Sequence, residues 1–263
     1  MHPPFPALFI GHGNPMNALN ANANSLVWRE IGANLTRPRA LLVISAHWLT
    51  RGVAVTAMSQ PKTLHDFSGF PPALHEFQYP APGDPQLAAN IAELLAPEHV
   101  TLDTDWGLDH GAWSILTHLF PGADIPVLQL SLDVGKSAAE HYALALKLRP
   151  LRDQGVLIIG SGNVVHNLRK MDWKQPDAAY EWATRFKDRV RRHLLDHAHV
   201  NLFDLTDDDA KLAVPTPEHY WPLLYIAALA SPDETLELFN DRIEYGAISM
   251  LCCQIGSPMK ADQ

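Results

Sequence analysis

Two cysteines in 263 residues leave no room for a disulfide framework, and Cys252 and Cys253, being adjacent, are poorly placed to bridge each other. They read as small apolar residues inside the run 248–255. Charge is scarce too: 19% of residues are charged, below the roughly 25% usual for soluble domains, which excludes a coiled coil or a solvated scaffold. With 20 Lys plus Arg against 29 Asp plus Glu, the formal net charge is -9, the wrong sign for nucleic acid or an anionic membrane as partner. No apolar run approaches the roughly 18 residues of a membrane-crossing helix; the longest are pieces such as 223–230. Residues 1–6 hold no basic segment ahead of an apolar stretch, so no secretory signal and a cytoplasmic location are expected. Linkers, repeats and low-complexity tracts are lacking, which predicts one domain over 1–263. What the chain does have is histidine. Fourteen imidazoles in an acidic, cysteine-poor chain point to metal or proton chemistry if their positions converge.

Short apolar runs alternate with helical patterns along the chain. Residues 7–10, 40–45, 125–130 and 156–160 are near-continuous apolar segments of strand length, the pattern of strands buried on both faces. Asp84 before Pro85 predicts a helix start, followed by an apolar face of Leu87, Ile91, Leu94 and Leu95; 138–152 and 182–194 predict two more helices. Residues 235–239 and 247–255 read as further strands joined by a turn around Asn240 and Asp241. The order implies an α/β fold: a single domain with a largely parallel or mixed central sheet and helices on both faces. The proline-rich stretch 61–85 holds His65, Phe67, Phe70, Phe77 and Tyr79 and has little periodicity. It reads either as a rigid aromatic loop over a site or as a stiffened connection with its rings packed down. The seven tryptophans read as core.

Three of the four strand candidates run into a histidine. The first leads to Gly11-His12-Gly13, the second to Ala46-His47-Trp48, and the last through Ser161-Gly162-Asn163 to His166. Open α/β sheets bind ligands outside the carboxyl ends of their strands, so these side chains are expected to share one crevice. The glycines beside His12 would give a ligand room against the backbone. His219 and His110 arrive from predicted helix starts. Thr216 is a candidate cap with Pro217 first and His219 third, and Asp109 a candidate cap with His110 in the first turn. The positive end of a helix favours the neutral imidazole that a metal needs. Gly11-His12-Gly13 and Gly160-Ser161-Gly162 begin like a dinucleotide fingerprint but lack the third glycine, so nucleotide binding is set aside.

Taken together, Pro6 to Gly13 with Pro15 and Met16, Ser45-Ala46-His47-Trp48, His65-Asp66-Phe67 with Gly69-Phe70-Pro71, Tyr79-Pro80-Ala81-Pro82-Gly83, Asp109-His110-Gly111, the run 160–167 and Pro215-Thr216-Pro217-Glu218-His219-Tyr220 resemble the bacterial members of the 4,5-DOPA extradiol dioxygenase family. These are class III ring-cleaving dioxygenases, related to the catalytic subunit of protocatechuate 4,5-dioxygenase. The resemblance runs in order over nearly the whole chain. It implies that His12, His47 and His219 ligate a metal and that His110 and His166 handle protons, while Phe67, Phe70 and Tyr79 of the aromatic loop would wall the substrate. Many class III relatives use two histidines and a carboxylate, which makes Glu218 the competing ligand. Neighbouring helical residues point about 100° apart, so only one of Glu218 and His219 is expected to face the ion.

The implied activity is O2-dependent opening of a catechol ring beside its two hydroxyls, with L-DOPA or a related catecholic compound as substrate. The implied cofactor is one divalent ion: zinc as bound, but Fe(II) for turnover, because zinc has no redox chemistry. A zinc-dependent hydrolase would use the same three histidines, and a metal-binding module without turnover would have no need of His110 and His166. The expected partners are a small catechol and O2, with the protein a monomer or small homo-oligomer.

Overall fold

Alternate residues of the central strands point into two different cores. Ala7, Phe9, Leu42 and Ile44 belong to one, and Leu8, Ile10, Leu41 and Val43 to the other. A period-two split of apolar side chains is what a sheet covered on both faces requires. It is realised in the computed structural model of the chain, which describes residues 4–256.

The strands are β1 (Ala7–Gly11), β2 (Ala40–Thr50), β3 (Val53–Thr56), β4 (Val100–Asp103), β5 (Val127–Asp133), β6 (Val156–Gly162), β7 (Leu236–Phe239), β8 (Ile243–Glu244), β9 (Ile248–Ser249) and β10 (Cys252–Ile255). Eight of them form one sheet in the order β4-β3-β5-β2-β6-β1-β10-β7, and β8 and β9 make a separate antiparallel ribbon. The four central strands β5, β2, β6 and β1 run parallel, while β3 pairs antiparallel with β5 and β10 antiparallel with β1 and β7. The sheet is therefore mixed around a parallel centre, and the α/β single-domain architecture expected from the sequence is present.

Helices cover both faces. Pro85–Leu94, Ala138–Leu146, Glu181–Leu195 and Trp221–Leu229 bring Leu87, Leu144, Phe186 and Leu223 to the first core. Ala23–Asn34 and His110–Leu119 bring Trp28 and Trp113 to the second. The start at Asp84 is as predicted, its carboxylate accepting from Leu87 N–H at 2.9 Å. Two expected elements are divided. The helix over 138–152 breaks into Ala138–Leu146 and Arg149–Asp153 at Pro150, which has no N–H for the ladder. The strand over 247–255 breaks between β9 and β10, where Met250 N–H turns to Arg242 O at 2.9 Å and Leu251 N–H to Ser249 Oγ at 3.3 Å. Cys252 and Cys253 are buried and unbridged in β10, as expected. The outer ends of the expected domain, residues 1–3 with His2 and 257–263, lie outside the described residues.

One buried cation ties the periphery to the sheet. Arg152 is 3% exposed and donates to Phe5 O at 2.6 Å, to Leu229 O at 2.8 Å and to the Glu234 carboxylate. Burial works against ionisation of Glu234, but the guanidinium outweighs it and holds the carboxyl below its usual range. Glu234→Gln is expected to destabilise the fold by about 2 kcal/mol at pH 7 through loss of a charge-assisted bond. An unfolded carboxyl titrates near 4.5, so the contribution is whole above that pH and is lost as the pH falls through the lower folded value. Urea unfolding of both proteins should show a gap at pH 7 that closes in acid.

Candidate active site

The parallel arrangement of β1, β2 and β6 puts their carboxyl ends on one edge of the sheet, and His12, His47 and His166 meet there. His12 follows β1 directly. His47 lies inside β2 rather than beyond it, because the pairing with β5 jumps from Ile44↔Leu130 to Leu49↔Leu132. The extra residues bulge from the ladder and re-aim the imidazole. Ser45, at the start of that bulge, donates to Asp109 Oδ1 at 2.7 Å, and Asp109 caps the helix that begins at His110, accepting Ala112 N–H at 3.1 Å. His219 closes a 3-10 turn, Pro217–His219, ahead of Trp221–Leu229. The expected cap bond from Thr216 is not made; its hydroxyl donates to Glu218 Oε1 at 2.8 Å.

Close backbone approach explains the glycines. A Cβ on Gly162 would stand 2.2 Å from His219 O, and one on Gly111 would stand 2.4 Å from Ser45 Oγ and 2.9 Å from His47 Cδ2. Of the glycines beside His12, Gly13 lines the histidine cavity, and both also make room for Met250. A side chain at Gly11 would strike the Met250 backbone and one at Gly13 the Met250 side chain, so part of the room they leave is taken by the protein itself.

Hydrogen bonds fix which nitrogen His12 and His219 turn inward. Ser161 gives its only hydroxyl hydrogen to Gly111 O at 2.6 Å, so at its 3.0 Å contact with His12 Nδ1 it must accept. His12 therefore carries its proton on Nδ1 and bares Nε2. His219 Nδ1 donates to Glu218 Oε1 at 3.1 Å, leaving Nε2 buried and without a partner. His47 Nε2 lies 3.1 Å from His12 Nε2, with the Asp66 carboxylate 3.7 Å from its Nδ1. The same carboxylate takes His110 N–H and His110 Nδ1, both at 2.9 Å. His166 stacks on His219 with centroids 3.5 Å apart. Five imidazoles thus share one place. The ligand atoms of His12, His47 and His110 lie within 4.8 Å of one another, as do those of His166, Glu218 and His219.

Four of these rings are held neutral. Burial is the main cause at His12 and His47, which lie well below the ordinary imidazole range with neighbouring imidazoles adding to it, and at His219, which is lowered although Glu218 works the other way. Burial, then His219, pushes His166 down to about 2. Burial opposes ionisation of Glu218, but the bonds from His219, its backbone and Thr216 prevail and bring it to about 2.

The histidines floor a cavity of about 370 Å³ whose walls include Phe67, Phe70, Leu168, Met171 and Trp173. Phe67 and Phe70 meet edge to face at 5.3 Å, so part of the aromatic loop does cover the site. The rest packs down: Phe77 stacks on Trp113 at 5.0 Å, and Tyr79, 3% exposed, donates its hydroxyl to Phe120 O at 2.8 Å. Tyr79 is therefore a core residue and not a cavity wall. His65 faces Phe77 O at 2.9 Å and stays outside the cluster. Trp173, taken with the other tryptophans as core, is 64% exposed at the cavity edge. Asn14, Glu244, Tyr245 and Ile248 also line the cavity and were missed, since they come from loop and ribbon positions with no periodic signature.

Residues 1–251 match the family described as the catalytic LigB subunit of aromatic ring-opening dioxygenase. The chain belongs to that family. It is 48% identical over 258 residues to 4,5-DOPA dioxygenase extradiol of Escherichia coli (strain K12), covering 95% of this chain and 94% of that one. It is 39% identical over 252 residues to the protein of the same description from Beta vulgaris, covering 92% of each. The crystal structure of an uncharacterized protein from Escherichia coli K12 aligns with a TM-score of 0.84 at 45% identity, over 96% of this chain and 100% of that one. Oxidative ring opening of a small molecule with O2 is thus the chemistry of this LigB-type site, and the hydrolase alternative is not favoured. Family and histidine cluster together indicate one metal ion. No helix among the described residues is long and apolar enough to cross a membrane.

Gly162→Ala should displace the His219 turn without touching a single imidazole. Metal affinity, read by chelator competition, is expected to fall by about tenfold to hundredfold, as when ligand supports are lost. Unchanged affinity would show that the close approach at Gly162 does not set the position of His219.

Proposed function

We propose that the protein is an extradiol dioxygenase that opens the ring of L-DOPA between carbons 4 and 5, with His12, His47 and His219 holding one divalent ion through Nε2. The observation that carries this reading is the buried, partnerless Nε2 of His219 on a ring whose centroid lies 5.4 Å from that of His12 and 4.9 Å from that of His47, with the other nitrogens of His12 and His219 engaged. Metal-bound histidines characteristically donate their second N–H to a fixed acceptor, as these do. The 3.1 Å between the Nε2 atoms of His12 and His47 is short enough for both to reach one ion at about 2.0–2.1 Å. Glu218 supports this assignment rather than competing with it. It holds the far nitrogen of His219 and is not part of the cavity wall.

Neutral imidazoles suit zinc and ferrous iron alike; we assign Fe(II) to turnover and zinc to adventitious or resting occupancy, since zinc cannot exchange electrons with O2. When bound, the ion supplies neighbouring positions at which the two catechol oxygens and O2 are brought together. The chain does the rest. Phe67 and Phe70 flank the ring, and Leu168, Met171 and Trp173 keep water from it. His166, on the cavity wall and stacked on His219, is placed to take a catechol proton. His110 is fixed by the Asp66 carboxylate at Nδ1, so its Nε2 is the atom free to exchange a proton with the opening ring. Residues 1–263 are read as one catalytic domain, a monomer or small homo-oligomer, and the buried, unbridged cysteines suit a cytoplasmic location.

Anaerobic reconstitution of the apoprotein with Fe(II) or zinc, followed by L-DOPA and O2, tests the reading. The iron form is expected to consume one O2 per ring opened and the zinc form none; equal turnover with zinc would overturn the iron assignment. His166→Asn and His110→Asn should each lower kcat by about hundredfold or more while metal stoichiometry stays at one. His219→Asn should lose the metal itself.

A further inference from the structure

Next to the histidine cavity is a second, polar recess of about 240 Å³, and the two share Asn14, Glu244 and Tyr245 as a common wall. Arg242 lines the recess from the same short segment. Both charges are half-buried, yet neither has an ion-pair partner among the described residues, and they stand more than 4.0 Å from each other. Comparable cations elsewhere are paired: Lys136 with Glu98 at 2.9 Å, Arg152 with Glu234, Lys187 with Asp241.

The two charges are held apart by a chain of amides. Arg242 Nε donates to Asn240 Oδ1 at 2.8 Å, Asn240 Nδ2 to Asn24 Oδ1 at 3.0 Å, and Asn24 Nδ2 to Glu244 Oε1 at 2.8 Å. Asn24 is 2% exposed, so this relay is built into the fold rather than draped on the surface. It uses one nitrogen of the guanidinium and one oxygen of the carboxylate. The remaining NH groups of Arg242 and Oε2 of Glu244 have no protein partner among the described residues. A fixed cation and a fixed anion, unpaired and on the wall of one recess, form a socket for a group carrying both charges.

We infer that this recess reads the amino-acid tail of the substrate, Arg242 taking the carboxylate and Glu244 the ammonium, while the ring lies over the histidines. The inference rests on the catechol reading above and assigns its specificity: Arg242 and Glu244 select catechols with a zwitterionic side chain over plain catechols. The exposed Asp177 is the other charge on the recess wall, and it leaves Arg242 as the sole cation there.

Four catechols separate the two contacts: L-DOPA, dopamine without the carboxylate, 3,4-dihydroxyphenylpropionate without the amine, and 4-methylcatechol without either. With the Fe(II) enzyme, Arg242→Gln is expected to raise KM about tenfold to hundredfold for the two carboxylates and leave the other two within about twofold. Glu244→Gln, which keeps an oxygen for Asn24, should do the same for the two amines alone. Anaerobic calorimetry should return the same pattern in Kd. A loss shared by all four, or by none, overturns the subsite while ring opening stands. A wild-type enzyme that opens none of the four removes the catechol reading and the subsite with it.

Discussion

The site depends on the engagement of the outer nitrogens of His12 and His219. A buried histidine left to itself can flip, change tautomer or bond a neighbour, and five such rings in contact would collapse into pairs. Ser161, locked by Gly111 O, forces the proton of His12 onto Nδ1, and Glu218 does the same for His219. Burial then keeps the rings uncharged. The result is a set of lone pairs aimed at one volume, an arrangement that an isolated fold would not favour and that a bound cation would stabilise.

The scaffold delivers these rings by three separate devices. Parallel strand ends bring His12 and His166 to the same edge, a bulge turns His47 out of β2, and a tight turn lays His219 against the backbone at Gly162. Asp109 couples the bulge to the helix that carries His110, since it caps that helix and also holds Ser45 at the start of the bulge. A shift in the cap would therefore move His47 as well as His110.

Much of this was legible in the sequence, for identifiable reasons. Apolar runs of strand length followed by histidine carry both the strand and its end, so His12 and His166 could be placed without knowing the partners of their strands. Asp84 and Asp109 are local signals and behaved as such. Other features were not legible because they depend on contacts distant in sequence. Nothing near Tyr79 says that its hydroxyl finds Phe120 O, 41 residues away. The opposite holds for Trp173, whose size suggests core while its position leaves it at the cavity edge. Arg242 and Glu244 sat in what read as a turn between strands, and their meaning emerges only when Asn24, 220 residues from Glu244, is brought beside them.

The central claim is the identity of the three ligands, and an anomalous difference map from metal-loaded crystals tests it most directly. The account predicts a single peak about 2.0–2.1 Å from Nε2 of His12, His47 and His219. A peak bound to a Glu218 oxygen, or to His110 in place of His219, would contradict it.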